Sequence, residues 1–193
     1  MSEINAAILA DLFSGDDNRA ARAVTRLTPD HAPILIEHFA HPDADRRWWA
    51  VCGLAHLAQH NHVEAVMYLI TAAADPHPDV RVIALHALGQ TRAPEAVVPL
   101  LFALSDPSAF LARIASDALM AIGPAAVPGL LRALANDAQA AVRVNAARAL
   151  AHLADPSSIP ALFRALNDES ALVQYWAEEG LERMGAGQVY FQP

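Results

Sequence analysis

The chain has no lysine: all thirteen of its basic residues are arginine, set against 21 acidic residues, for a formal net charge of −8. Proteins that grip DNA or RNA do so through a basic face that releases counterions, so this balance argues against a nucleic-acid partner. Cysteine is almost absent. The single thiol, Cys52, excludes an internal disulfide and leaves a Cys-based zinc site without ligands. No segment approaches the ~18 consecutive apolar residues of a membrane helix, and Met1-Ser2-Glu3 lacks the basic, apolar and small-residue order of a secretory signal. A reducing cytoplasm, with no membrane attachment, is the expected setting. Charged residues are also sparse, at 18%, as are β-branched clusters. Ala and Leu, strong helix formers, dominate instead, and 54% hydrophobic content in 193 residues is enough for a substantial core. An all-α chain is expected.

The sequence repeats. Asp75, Asp106, Asp137 and Asp168 are each 31 residues apart, and so are Val80, Leu111, Val142 and Val173. Ala84, Ala115, Ala146 and Ala177 keep the same interval, as do Leu88, Leu119, Leu150 and Leu181. Within a unit the Val, Ala and Leu columns follow at offsets of four, which places them on one helical face, with Ala where a neighbouring helix comes close. The Asp column is read as a helix N-cap, clearest at Asp106-Pro107 and Asp155-Pro156. A second, shorter helix precedes each of these, marked by Pro99, Pro128 and Pro160 near its start. Gly89 and Gly123 are read as helix stops. Ala50 and Ala23 extend the frame backwards at irregular spacings of 34 and 27. The expectation is six hairpins, at roughly 2–28, 31–60, 62–90, 94–122, 124–153 and 157–184, forming one solenoid over 1–184 and a tail over 185–193.

The stretch Asp75-Pro76-His77-Pro78-Asp79-Val80-Arg81, followed by Ala84, Ala87, Leu88 and Gly89 and then by Ala93-Pro94-Glu95-Ala96-Val97-Val98-Pro99-Leu100-Leu101, resembles the short HEAT repeat named after phycobilisome lyases. The resemblance covers nearly the whole chain and implies an α-solenoid, a right-handed superhelix of about six hairpins. It does not choose a function, because the family holds bilin lyase subunits, the di-iron hydroxylase of deoxyhypusine and many binding scaffolds. The hydroxylase draws its iron ligands from repeated His-Glu dipeptides. This chain has none; Glu37-His38 runs in the reverse order. HEAT-like DNA glycosylases use a basic, aromatic-lined face. Trp48, Trp49, Tyr175 and Trp176 fit that in kind, but the charge does not.

In HEAT arrays the longer helix of each hairpin lines the concave side. On the third hairpin, Val80, Ile83, Ala84, Ala87 and Leu88 are expected to face inward and Val82, Leu85 and His86 to lie open. Across the units the Val82 column reads Trp48, Val82, Arg113, Val144 and Tyr175, and the His86 column reads Cys52, His86, Asp117, Arg148 and Glu179. An apolar stripe bordered by charge suits a protein-binding groove, with Trp, Tyr and Arg as anchors; neighbouring helices covering the stripe is the other reading. Of the paired aromatics, Trp49 and Trp176 are assigned to the core, and Trp48 and Tyr175 to contact. Arg47, Arg81 and Arg143 form a further column, read as pairing with Asp residues between units. Candidate partner-binding residues are therefore Trp48, Val82, His86, Arg113, Asp117, Arg148, Tyr175 and Glu179.

Nine histidines are many for this length, and His56 and His60 stand one turn apart, a chelating spacing. No carboxylate at a supporting offset completes a ligand set, so no metal site and no cofactor are assigned. No nucleophile–base pair or phosphate-cradling Gly loop is evident, and no catalytic residue is assigned. The expected role is a non-enzymatic scaffold or adaptor holding a protein or peptide on its concave face. The alternative is a chaperone or lyase-like subunit handling a cofactor such as a bilin together with a partner protein. The tail carries Tyr190-Phe191, suited to covering the last apolar face or docking on another molecule.

Overall fold

The computed structural model describes residues 3–60 and 62–186, so most of the expected tail, from residue 187 on, lies outside the described residues. Among those described there are twelve α-helices and no strand. They divide into two compact units, residues 1–91 and 92–193. The first contains α1 (Glu3–Leu12), α2 (Asp17–Val24), α3 (Ala32–Phe39), α4 (Ala44–Gln59), α5 (Val63–Ala72) and α6 (Pro78–Thr91). The second contains α7 (Val97–Ala103), α8 (Ala109–Ile122), α9 (Val127–Asn136), α10 (Ala140–Leu153), α11 (Ile159–Ala165) and α12 (Ala171–Arg183). Each consecutive pair is one antiparallel hairpin, giving the six expected from the repeat.

In the first unit α4 packs against α3, α5 and α6, and α2 touches α4. In the second, α8, α10 and α12 form one layer while α7, α9 and α11 form another. The repeated columns make the core. Ala23, Ala50, Ala84, Ala115, Ala146 and Ala177 are all buried, together with Val80, Leu111, Val142, Val173 and the Leu88, Leu119, Leu150, Leu181 column. A methyl group at each crossing lets adjacent helices approach closely. Gly180 marks an extreme case, since a Cβ there would lie 3.0 Å from the Cα of Ala151.

Three expectations are corrected. The repeated Asp is not the N-cap of the long helix: Asp75, Asp106, Asp137 and Asp168 each accept, through Oδ1, the backbone N–H two residues on, at 2.8 Å. This is an Asx-turn placed ahead of the helix, and Ser108, Gln139 and Ser170 occupy the N-cap positions of α8, α10 and α12. Asp155 does cap, at the head of the 3-10 turn Pro156–Ser158. Gly89 is not a stop, because α6 continues through it to Thr91; Gly123, with φ of 87°, does end α8. Leu85 is buried rather than open. Its column, Val51, Leu85, Ser116, Ala147 and Glu178, holds small or apolar residues until the last hairpin, where Glu178 is exposed. The Ser116 hydroxyl donates to the Asn145 carbonyl at 3.0 Å, so this row is where one long helix rests on the next.

The Arg column ties the hairpins together. Arg47 donates from Nε to Asp75 Oδ2 (2.8 Å) and from Nη2 to Asp75 Oδ1 (3.0 Å), while Nη1 donates to the carbonyls of His41 and Pro42. Arg143 repeats the arrangement with Asp168 at the same distances, with its Nη1 on the carbonyls of Asp137 and Ala138. Arg81 makes the corresponding carbonyl contacts, to Asp75 and Pro76. Asp75 and Asp168 thus each fix their own turn and receive the preceding hairpin's guanidinium in a bidentate fork. Burial opposes the ionisation of Asp75, but the Arg47 fork and the His77 amide outweigh it and hold its pKa below the ordinary value. Asp168 is likewise lowered, first by the Arg143 hydrogen bonds and against its burial. The described helices include none long and apolar enough to cross a membrane alone.

Candidate binding cleft

Within residues 1–91 a cleft of 1080 Å³ opens at the N-terminal ends of α2, α4 and α6. The α1–α2 turn contributes Phe13 and Gly15, whose φ of 78° lets the chain reverse there. α4 contributes Trp48 and Trp49, and α6 contributes Val82 and Ile83. The Trp48 and Trp49 rings meet at 90° with centroids 4.5 Å apart and form an aromatic corner. Asp17, Asp43, Asp45, Asp79 and Arg46 line the cleft as well, with His77 between them. The Nδ1 of His77 lies 3.8 Å from Asp79 Oδ2 and has no hydrogen-bond partner. Behind Phe13, the ring of His38 stacks at 3.8 Å, and its pKa is lowered by burial and then by the nearby Arg46.

The structure therefore brings Trp48 and Val82, two of the sequence-assigned residues, to one opening. Trp49 is not in the core; it is half-buried and shares the cleft. His86 is exposed, with Nε2 2.9 Å from the Gln90 amide nitrogen.

In residues 92–193 the assigned residues form a charged network along α8, α10 and α12. Arg148 is buried, donating from Nη2 to Asp117 Oδ1 at 2.6 Å and from Nη1 to Ser116 Oγ at 3.3 Å, with its guanidinium carbon 6.0 Å from the Trp176 ring centroid. Arg113 Nε stands 3.7 Å from the same Asp117 oxygen. Glu179 accepts from Arg183 Nε at 2.6 Å, and Arg183 in turn approaches His152. Trp176 is half-buried beneath this network rather than in the core, and Tyr175, 53% exposed, meets it edge-on at 5.1 Å. Arg148 thus holds three helices in register, whereas Tyr175 and Arg113 present open surface.

Other groups are accounted for locally. The rings of His56 and His60 lie 4.3 Å apart, His60 Nδ1 sits 2.8 Å from the His56 carbonyl, and among the described residues no three His, Cys, Asp or Glu side chains converge on a point. Burial pushes the Cys52 thiol up to about 12, which keeps it protonated and unreactive at neutral pH. Sequence reasoning missed Phe13, Asp17, Asp43, Asp45 and Asp79. The signal available was the crowding of Asp and Trp at the starts of successive long helices.

Comparison with known structures shows the same architecture at low sequence identity. A designed armadillo repeat protein in complex with peptide (KR)4 aligns with a TM-score of 0.53 and 20% identity over 95% of this chain and all of that one, 100%. The complex of CpcE and CpcF of phycocyanin lyase from a Nostoc species aligns at 0.57 and 22% identity, over 85% of this chain and 67% of that one. Human deoxyhypusine hydroxylase aligns at 0.54 and 21%, over 94% and 73% respectively. No curated protein matches the chain in sequence. The sequence profile of HEAT repeats matches residues 32–122 and 127–190, and with the hairpin architecture above this places the chain in the HEAT repeat family.

Proposed function

We propose that the chain is a non-enzymatic binding scaffold that holds a protein or peptide segment on the face formed by its long helices. The observation that carries this reading is the cleft in residues 1–91, where the Trp48 and Trp49 rings and Val82 line an opening instead of filling the core. Tyr175 and Arg113 present a second contact surface in residues 92–193, with Asp117 and Glu179 setting the charge around them and Arg148 positioning Asp117. Aromatic and Arg side chains are the usual anchors of protein interfaces. A designed repeat protein of the same architecture is known in complex with a peptide, which supports a peptide as occupant. The net charge of −8 and the lack of lysine favour a protein over a nucleic acid.

The test compares the wild type with the double variant Trp48→Ala, Tyr175→Ala, both immobilised against an unbiased peptide library. The double variant is expected to keep its far-UV circular dichroism and lose the selected peptides; equal selection by both proteins refutes the assigned surface. A cofactor-handling role is the second reading, favoured by the cleft volume, which suits a small organic ligand. Visible absorbance that co-purifies with the protein, and disappears in Trp48→Ala, would support it over the scaffold.

A further inference from the structure

The same cleft indicates the chemistry of its occupant, an inference that rests on the binding role proposed above. The N-termini of α2, α4 and α6 all face the opening: Asp17 lies in the first turn of α2, Asp43 caps α4, and Asp79 lies in the first turn of α6. Each helix N-terminus acts as about half a positive charge, so three supply about +1.5 and would by themselves favour an anion. Arg46 adds one further positive charge. Four carboxylates, Asp17, Asp43, Asp45 and Asp79, oppose this and leave the opening negative by about 1.5 charges. Only Asp43 is committed to the fold, accepting the Asp45 amide at 2.9 Å. Asp79 is exposed beside His77, and Asp45 and Asp17 are exposed as well.

Beneath these carboxylates the lining changes character. The perpendicular Trp48 and Trp49 rings offer π surface, and Phe13, Val82 and Ile83 complete an apolar floor. A neutral apolar segment seated there would strip water from the carboxylates without giving them a partner, and an acidic one would be repelled. Arg and Lys satisfy both layers, because each joins an apolar stem to a cationic head, and Trp is the aromatic that cations favour most. We propose that the cleft of residues 1–91 captures a basic segment of a partner protein, with an Arg or Lys side chain laid along the Trp48–Trp49 corner and its cationic head among Asp17, Asp45 and Asp79.

The experiment uses the full chain carrying Trp176→Phe, which leaves Trp48 and Trp49 as its only tryptophans, so their emission reports the cleft. Three synthetic peptides of equal length are titrated: one rich in Lys and Arg, one rich in Glu, and one of Leu and Ser. The basic peptide alone is expected to shift the emission, with an affinity that weakens as salt is raised. Asp45→Asn with Asp79→Asn is expected to weaken it about five- to tenfold, the loss of two partly exposed charge contacts, with unchanged far-UV circular dichroism. Equal binding of the Leu/Ser peptide, or basic-peptide binding indifferent to the two substitutions, overturns the cationic occupant. Silence from all three peptides overturns it as well. The broader binding role stands or falls separately, on the library comparison of the Trp48→Ala, Tyr175→Ala variant.

Discussion

The Arg47–Asp75 fork gives a sharp test of how the hairpins are held together. Both side chains are largely withdrawn from water, at 13% and 7% exposure, so the pair is not the solvated kind whose contribution is typically about 0–1 kcal/mol. Asp75→Asn preserves the shape and leaves an oxygen to accept the His77 amide. It removes the charge and turns an amide N–H₂ toward the guanidinium. Breaking one side of a buried pair costs roughly 3–5 kcal/mol. Arg47 keeps its two carbonyl partners, His41 and Pro42, which softens the loss to about 2–3 kcal/mol. Against a total of about 5–15 kcal/mol for a typical domain, that is a large fraction. The assay is urea unfolding followed by far-UV circular dichroism for the wild type, Arg47→Met, Asp75→Asn and the double variant. The expected coupling energy is about 1.5–2.5 kcal/mol, with faster hydrogen exchange in α4 and α6 in each single variant. Asp11→Asn, which breaks the far more exposed Arg19–Asp11 pair, serves as a control and should change stability much less. A coupling below about 0.5 kcal/mol would show that the fork is decoration and that apolar stacking alone sets the register.

Other substitutions probe the packing and the pH response. Gly180→Ala should destabilise by about 1–2 kcal/mol in thermal unfolding: a methyl group 3.0 Å from the Ala151 backbone outweighs the roughly 1 kcal/mol gained in helix propensity, and a neutral result would mean that α10 and α12 can part freely. Leu85→Ala should cost about 2–4 kcal/mol, as for any fully buried leucine, whereas an open residue would lose almost nothing. The lowered pKa of His38 means that the unfolded chain binds its proton more readily. His38 therefore adds stability at neutral pH that is lost as pH falls from about 6.5 through its lower folded pKa, and His38→Phe should flatten that limb of the pH–stability curve. Asp75 and Asp168, whose folded pKa values are depressed, should add a second loss only as pH falls below about 4; a chain equally stable at pH 5 and pH 2 would contradict both forks.

The solenoid was legible because its columns are physical requirements. Only a small residue fits where two helices cross closely, and every member of the Ala column is buried. The Arg–Asp pairing between hairpins was legible as well, although the Arg column is broken by Ala112 and Gln174 and only the Asp column keeps the repeat from Asp75 to Asp168. Misreadings arose where one residue type serves two geometries. An Asp before a long helix suits an N-cap and an Asx-turn alike, and only the backbone shows that the turn comes first, with the helix starting three residues later. Leu85 was misread from helix geometry on one hairpin alone. Read across the units, its column stays small or apolar from Val51 to Ala147 and becomes Glu only at Glu178, the pattern of a stacking surface that ends with the last repeat.

The cleft was less legible because part of its wall, the α1–α2 turn, lies outside the repeated columns. The spacing from Ala23 to Ala50 is 27 residues where the next step is 34, and the shortfall lies at the C-terminal end of α2, which stops at Val24, one residue past Ala23, whereas α4 runs to Gln59, nine past Ala50. At about 1.5 Å per residue, α2 runs half the length of its neighbour. Ahead of the Ala23–Ala50 crossing both helices run six residues, so the first turns of α4 stand beside those of α2, and the α1–α2 turn adds Phe13 and Gly15 to the wall. Trp48 and Trp49 lie in that stretch and line the opening. Phe13→Ala, which removes the aromatic wall contributed by the α1–α2 turn, should then leave Trp48 and Trp49 more open without disturbing the Ala23–Ala50 crossing. In a Trp176→Phe background such a variant should show stronger acrylamide quenching of its tryptophan emission, with unchanged far-UV circular dichroism. If quenching stays at the level of the Trp176→Phe parent, the α1–α2 turn is not what shields the Trp48–Trp49 corner.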